Sequence, residues 1–315
     1  DELTSEAQRL ADQVVERLTL YQYGLRGARG AVLTAGEAGV SRSIFRNYGL
    51  TRDFDLEFPG ARGFGFIRRV PVADEQVFVD QARKDGWSEF SIRQFVSHPD
   101  ERFVIQYIEP VERNLAAVGL DIASEASRRD AAIKAMRTGE VQLTAPITLV
   151  QASGKPQQSF LILLPVFRGI VRPATEEERE RATFGWTYAP LLMEEVLSGL
   201  ATARSGERLR LYDITQPGDE KLFYDTLDRA GDHEEIGEVR INLELFGRVG
   251  YGTTSIKADV AGFSATEDGE SVNYGVGANY FFDGQNGVRA DWTRRDFTDD
   301  NGGEVDTYGI GYVRR

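Results

Sequence analysis

One carboxylate, Asp121, stands at the mouth of the segment GLDIASEASRRDAAIKAMRTGE (residues 119–140), where an extended stretch gives way to a short helix. Two kinds of chemistry suit it there. It can accept hydrogen bonds from the N–H groups of a small ligand in a mostly apolar pocket. It can equally accept from backbone N–H groups and cap the helix that follows. Other chemistries find little support. The chain has no cysteine, and its two histidines, His98 and His233, are far apart in sequence. Disulfides, thiolate metal sites and cysteine nucleophiles are excluded, as is a histidine-rich metal site, and a serine–histidine triad is disfavoured. Gly154-Lys155-Pro156 lacks the spacing and hydroxyl of a phosphate-binding loop. GARGFG (residues 60–65) has its glycines in the wrong order for a dinucleotide fingerprint. Glu176 and Glu178 lie on a charged helix start, which the helix dipole favours without catalysis. No catalysis and no cofactor are expected.

The elements that must position Asp121 are legible from periodicity. Ala7, Leu10, Ala11, Val14, Leu18, Tyr21 and Leu25 recur at three- and four-residue spacing and predict a long N-terminal helix with one apolar stripe. A turn at FPGARG (58–63) precedes a strand at 64–72, a helix at 74–86 and a strand at 103–111. The helix after Asp121 has Ser124 as its expected N-cap and Ser127 as a rival, because Ser127 and Asp130 have capping-box spacing; Gly139 is its expected stop. Arg128 and Arg129 read as solvated or paired with nearby acids. Two apolar strands, 141–151 and 159–167, flank a polar turn and are expected to pair antiparallel. Residues 174–203 hold an acidic helix start, a short strand around 185–188 and an amphipathic helix, and LRLYDI and KLFYDTL resume strand character. Strand pairs close in sequence among helices indicate α+β with antiparallel sheets.

From Val249 onward the pattern changes. Strands of about ten residues alternate apolar with small or polar residues between Gly-, Asp- and Asn-rich turns, as in VNYGVGANYFF (272–282), a dyad pattern with aromatic ends that suits a barrel.

Composition bounds the partners. A net charge of −13 repels nucleic acid and anionic membrane surfaces. No apolar run is long enough for a membrane-spanning helix. The chain starts at Asp1 without a leader, as a processed or excised piece would.

Several motifs in order, FPGARGFGFIRRV, GLDIASEASRRDAAIKAMRTGEVQLTAPITLVQ, FLILLPVF and FGWTYAP, resemble the CHASE domain, the extracytoplasmic sensor of many bacterial histidine kinases and cyclases and of plant cytokinin receptors. The resemblance covers about residues 1–248. It implies a long helix followed by two PAS-like antiparallel-sheet modules, the first binding a small molecule. It also implies that Asp121 hydrogen-bonds the ligand and that the Leu143 main chain adds a second hydrogen bond. Thr144, Phe103, Tyr107 and Leu163 are then candidate pocket walls, with ordinary core as the competing reading of each. LFGRVGYGTTSIKADV and the strands after it resemble the C-terminal part of a small OmpA-like outer-membrane barrel, over about residues 245–315. About five strands are read there where the smallest such barrels need eight, and Arg315 stands where a terminal aromatic is usual. The combination looks like a fusion.

The expected organisation is therefore a helical segment at 1–53, a first PAS-like module at 54–170, a second at 171–248 and an all-β meander at 249–315. The expected function is that of an extracytoplasmic sensor in a signal-transduction receptor. It would take a small-molecule ligand, form a homodimer through the N-terminal helix and bind no nucleic acid. Membrane attachment would come through segments outside this chain or through the β segment. The rival is an outer-membrane or surface β-barrel protein carrying a sensor-like domain.

Overall fold

The computed structural model describes residues 2–150, 159–169, 171–198, 210–213, 221–225, 243–260, 263–281, 286–297 and 304–314. The fold is α+β, with a long N-terminal helix and an antiparallel sheet. Residues 16–236 form one compact unit, and residues 1–15 with 237–315 form another.

Helix α1 (Glu2–Ala35) places Leu18, Tyr21, Leu25, Ala28 and Val32 on one buried face. From Leu18 onward the apolar stripe is thus spent on its own unit. Gly24 makes the approach possible, since a Cβ there would lie 2.2 Å from the Phe64 ring. Two short helices follow, α2 (Arg42–Leu50), capped by Ser41, and α3 (Phe54–Glu57), capped by Asp53. The sequence pattern alone did not resolve either one.

The sheet consists of β1 (Phe64–Val70), β2 (Arg102–Glu109), β3 (Gln142–Leu143), β4 (Ser159–Phe167) and β5 (Thr183–Leu192), in the order β2-β1-β5-β4-β3. All neighbours are antiparallel. Every residue of β4 is buried, as a strand covered on both faces requires. Alternation sends successive side chains of β5 to opposite faces. The Thr187 hydroxyl donates to the Leu25 carbonyl of α1, 3.1 Å away. The Trp186 indole N–H donates to the Ala132 carbonyl, 2.9 Å away, on α5 (Ala126–Thr138). The α5 face of the sheet carries Ile67, Phe103, Ile105, Leu163, Trp186 and Tyr188 against Ala132, Ala135 and Met136.

Helix α4 (Glu75–Lys84) packs Phe78, Val79 and Ala82 inward. Helix α6 (Glu176–Ala182) opens with a complete capping box from Thr175 and Glu178. After β5 come α7 (Met193–Val196) and a separate two-stranded sheet of β6 (Arg210–Asp213) and β7 (Lys221–Asp225). Among the described residues from Leu243 onward are the strands β8 (Leu243–Val260), β9 (Phe263–Phe281), β10 (Asn286–Phe297) and β11 (Glu304–Arg314), ordered β11-β10-β9-β8.

Two expectations are corrected. The apolar run 141–151 is a strand only at Gln142–Leu143, with a single further bridge from Ile147 to Ser159. Pro146, which has no N–H to donate, interrupts the ladder. The strand expected around 185–188 runs from Thr183 to Leu192 and sits at the centre of the sheet. The five-stranded sheet therefore includes chain beyond residue 170. Residues 189–192 complete β5, and α7 begins at Met193.

Candidate functional site

Asp121 is wholly buried and joins three pieces of chain. Its backbone bridges to Val104 of β2, and its N–H donates to the Arg93 carbonyl 2.8 Å away. Carboxylate Oδ1 accepts from the backbone N–H of Phe103 (2.9 Å) and of Ala123 (3.0 Å). Oδ2 accepts from Gln94 Nε2 (3.0 Å) and lies 2.8 Å from His98 Nε2. A carboxylate offers about four lone-pair positions, and all are occupied. His98 Nδ1 is buried and makes no hydrogen bond. Two donors are backbone and fixed by the sheet and the following turn. The other two, Gln94 and His98, come from the loop between α4 and β2.

The capping expectation needs revision in detail. Asp121 caps a short 3-10 turn, Ile122–Ser124, rather than α5. Ser124 is spent inside that turn: its hydroxyl donates to the Asp121 carbonyl and accepts from the Phe95 N–H. The N-cap of α5 is Glu125, whose carboxylate accepts from the N–H groups of Ser127 and Arg128, both at 3.1 Å. A glutamate reaches back to the first turn as a serine would, and adds a charge that the helix N-terminus favours. Gly139 ends α5 in the left-handed conformation, as expected. Arg128 is buried, paired with Glu125 at 3.1 Å and stacked 4.8 Å over Phe95. Burial pulls its pKa below the usual arginine value, and Glu125 pulls it back.

The structure brings most of the expected residues to one face. Phe103 follows the Asp121 contact directly, and its ring lies 4.5 Å from Trp186. Leu163 belongs to the same apolar layer. Thr144 is pinned to β4, its N–H donating to the Leu161 carbonyl (2.9 Å) and its hydroxyl accepting from the Leu161 N–H (3.0 Å). That makes Thr144–Leu161 a hydrogen-bonded pair, so the alternate pair Leu143–Ile162 turns its backbone groups away from β4. Strand β3 is the last of its sheet, so among the described residues those groups have no strand partner.

Tyr107 is not brought there. It pairs with Phe66 and stacks on Phe45 across the sheet from Trp186, and its hydroxyl donates to Asp85 at 2.6 Å. A bulge in β2 opposite Phe66–Ile67 shifts the alternation between Ile105 and Tyr107. Counting alternate residues along 103–111 therefore could not foresee this placement. Tyr107 lines a solvent-open cleft with Arg42, Asp85, Trp87 and Glu109, where the Arg42 guanidinium lies 4.0 Å over Trp87. Sequence reasoning also missed Gln94 and His98 as partners of Asp121. The scarcity of histidine was the one available signal.

No group of three or more His, Cys, Asp or Glu among the described residues could hold a metal ion. No helix among them is long and apolar enough to cross a membrane. Set against known protein families, residues 38–224 match the profile of the CHASE domain. Residues 236–315 match that of the outer membrane protein beta-barrel domain. No curated protein matches the chain.

Proposed function

This chain belongs to the CHASE domain family, and on that premise we propose that it is the extracytoplasmic, ligand-binding part of a bacterial signal-transduction receptor, without catalysis of its own. CHASE domains are extracellular sensory domains of signalling receptors. The observation that carries the reading is the convergence on one sheet face of Asp121, Phe103, Leu163 and the unpartnered backbone edge at Leu143. The five-stranded antiparallel sheet with flanking helices supports a first PAS-like module, and β6–β7 supports the start of a second.

The ligand is a small molecule with N–H donors. To reach Asp121 it displaces Gln94 and His98, so binding and movement of the 93–101 loop are one event. A ligand that favours one packing of the loop on the sheet shifts the population of that packing. Helix α1, fixed to the sheet's other face through Leu25, is the element that would transmit the shift, and a homodimer through its N-terminal part would receive it.

A thermal-shift screen of small molecules tests this, since a ligand that binds only the native state raises its melting temperature. Asp121→Asn should weaken a hit by about 10- to 100-fold, the equivalent of one charge-assisted hydrogen bond of roughly 1.5–3 kcal/mol. Gln94→Ala, which frees one acceptor position on Oδ2, should bind the same hit more tightly. Undiminished binding to Asp121→Asn would refute the assignment.

A second reading rests on the match over residues 236–315. In it the β segment is a working outer-membrane element and the CHASE part its appendage. A requirement for micelles to keep the purified chain in solution favours this reading. A soluble, detergent-independent protein opposes it.

A further inference from the structure

Tyr188 follows Trp186 by two residues on β5, so both side chains leave the same face of the sheet, the one covered by α5. Leu163, a wall of the proposed pocket, is its cross-strand neighbour on β4. On its other side Tyr188 pairs with Gly65 of β1. A Cβ at Gly65 would lie 2.2 Å from Tyr188 Cε1 and 2.9 Å from Cζ, so the hydroxyl-bearing end of the ring rests on the bare backbone of β1. Tyr188 is wholly buried, and among the described residues its hydroxyl makes no hydrogen bond. Burial raises its pKa well above 10, so the group stays a neutral phenol with a proton to donate.

Packing explains the ring and not the oxygen. A phenylalanine would cover Gly65 and touch Leu163 equally well, and would leave no donor unmet in an apolar layer. The preceding residues of the same strand are treated differently. The Trp186 N–H reaches the Ala132 carbonyl at 2.9 Å, and the Thr187 hydroxyl reaches the Leu25 carbonyl at 3.1 Å. A buried donor left unmet beside two that are met points to an acceptor that the chain itself does not supply.

We propose that the Tyr188 hydroxyl is a second polar contact for the small molecule that Asp121 holds, and that this ligand carries a carbonyl, ether or hydroxyl oxygen at the end remote from its N–H donors. The inference rests on the sensor reading of the Asp121 face. It also sets the ligand's shape. The Asp121 backbone bridges to Val104, whereas Gly65, beneath the Tyr188 ring, pairs with Ile108. With one bulged residue between them, Val104 and Ile108 are about 10–14 Å apart along β2, at ~3.4 Å per residue. The ligand is therefore elongated, with donors at one end, an apolar body along Phe103, Trp186 and Leu163, and an acceptor at the other. A compact hydrophilic molecule does not meet both ends.

The test is calorimetric titration of the full chain with two matched probes, para-butylbenzamidine and the same molecule with a ketone at the third carbon of its butyl chain. Both offer amidinium N–H groups to Asp121 and an apolar body to Phe103 and Leu163. Only the second brings an acceptor toward Tyr188. The ketone-over-alkyl preference should be roughly 3- to 10-fold greater in the parent than in Tyr188→Phe, the size of one neutral hydrogen bond. Without probe, Tyr188→Phe should melt at the parent's temperature or higher. A preference that differs by less than about twofold between parent and variant overturns the proposal. So does a Tyr188→Phe variant that melts several degrees lower, which would show that an ordered water already serves the hydroxyl. If both probes bind without any Tyr188 effect and Asp121→Asn abolishes that binding, the sensor reading stands and this inference falls. Binding of neither probe overturns the elongated donor–acceptor class and leaves the Asp121 reading to the thermal-shift screen.

Discussion

Asp121 ties the α4–β2 loop, strand β2 and the turn before α5 to one carboxylate. Asp121→Ala strands two backbone donors and two side-chain donors in a buried place, and each unsatisfied buried group costs roughly 1–3 kcal/mol. Partial relaxation and water entry reduce the sum, so a loss of about 3–5 kcal/mol is expected by urea denaturation, the size typical of breaking a buried charged pair. A loss below about 1 kcal/mol would show that the hub is dispensable. Glu109, in the cleft beside Tyr107, offers a pH test. Burial raises its pKa above the ordinary 4.5, against the pull of the Val111 N–H. The fold thus favours its protonated form. Its contribution to stability is complete below pH 4.5 and is lost as pH rises through the raised folded value. Glu109→Gln keeps an acceptor for Val111 and removes the charge. The variant should be more stable than the parent at pH 7, with the gap closing toward pH 4. A gap independent of pH would contradict the sign.

At the scale of elements, α1 carries two glycines that should respond oppositely to the same substitution. Alanine is favoured over glycine inside a helix by about 1 kcal/mol. At Gly30 nothing lies within 4 Å of an added Cβ, so Gly30→Ala should stabilise by up to that amount. At Gly24 the added methyl would meet the Phe64 ring at 2.2 Å and the Phe58 ring at 2.9 Å. Overpacking of about 1–3 kcal/mol should then exceed the propensity gain, and Gly24→Ala should melt lower. Equal effects at the two sites would mean that α1 does not sit against Phe64 as described. Such pairs also mark what the sequence discloses. The 3.6-residue stripe foretold α1, and β-branched and aromatic runs foretold β1, β2 and β4, because each signal is local to its element. The central position of β5 was hidden, since membership of a sheet is a long-range fact. The Asp121 site divided in the same way. Its position came from a local motif, whereas Gln94 and His98 reach it from a loop with no periodicity to betray them. Glu125 displaced the two serines as cap because a longer side chain can serve the same N–H groups, which composition preferences alone do not decide.

At the scale of the whole molecule, the question is whether the CHASE part holds its structure without the β segment. Hydrogen-bonded strand neighbours answer in its favour. Among the described residues, strands β8 to β11 are hydrogen-bonded to one another and β1 to β5 likewise, and no described ladder joins the two sheets. The place of the cut matters. A boundary at residue 248 divides β8, whose register with β9 runs without interruption from Leu243 to Val260. The half-strand left behind would expose unpaired N–H and C=O groups and invite edge-to-edge association. The compact unit ends at residue 236, before β8 begins. A chain stopped after Ile236 keeps the buried stripe of α1 from Leu18 to Val32, the five-stranded sheet and the layer of α5 against Trp186. It should therefore melt in one cooperative transition, within a few degrees of the full chain's first transition, by circular dichroism or calorimetry. The chain stopped after Arg248 should aggregate more readily than the shorter one, although it retains more residues. If the 236-residue chain is unfolded or insoluble while the longer cut is sound, residues 237–248 belong to the CHASE core, and the division between the two parts lies inside what is described as β8.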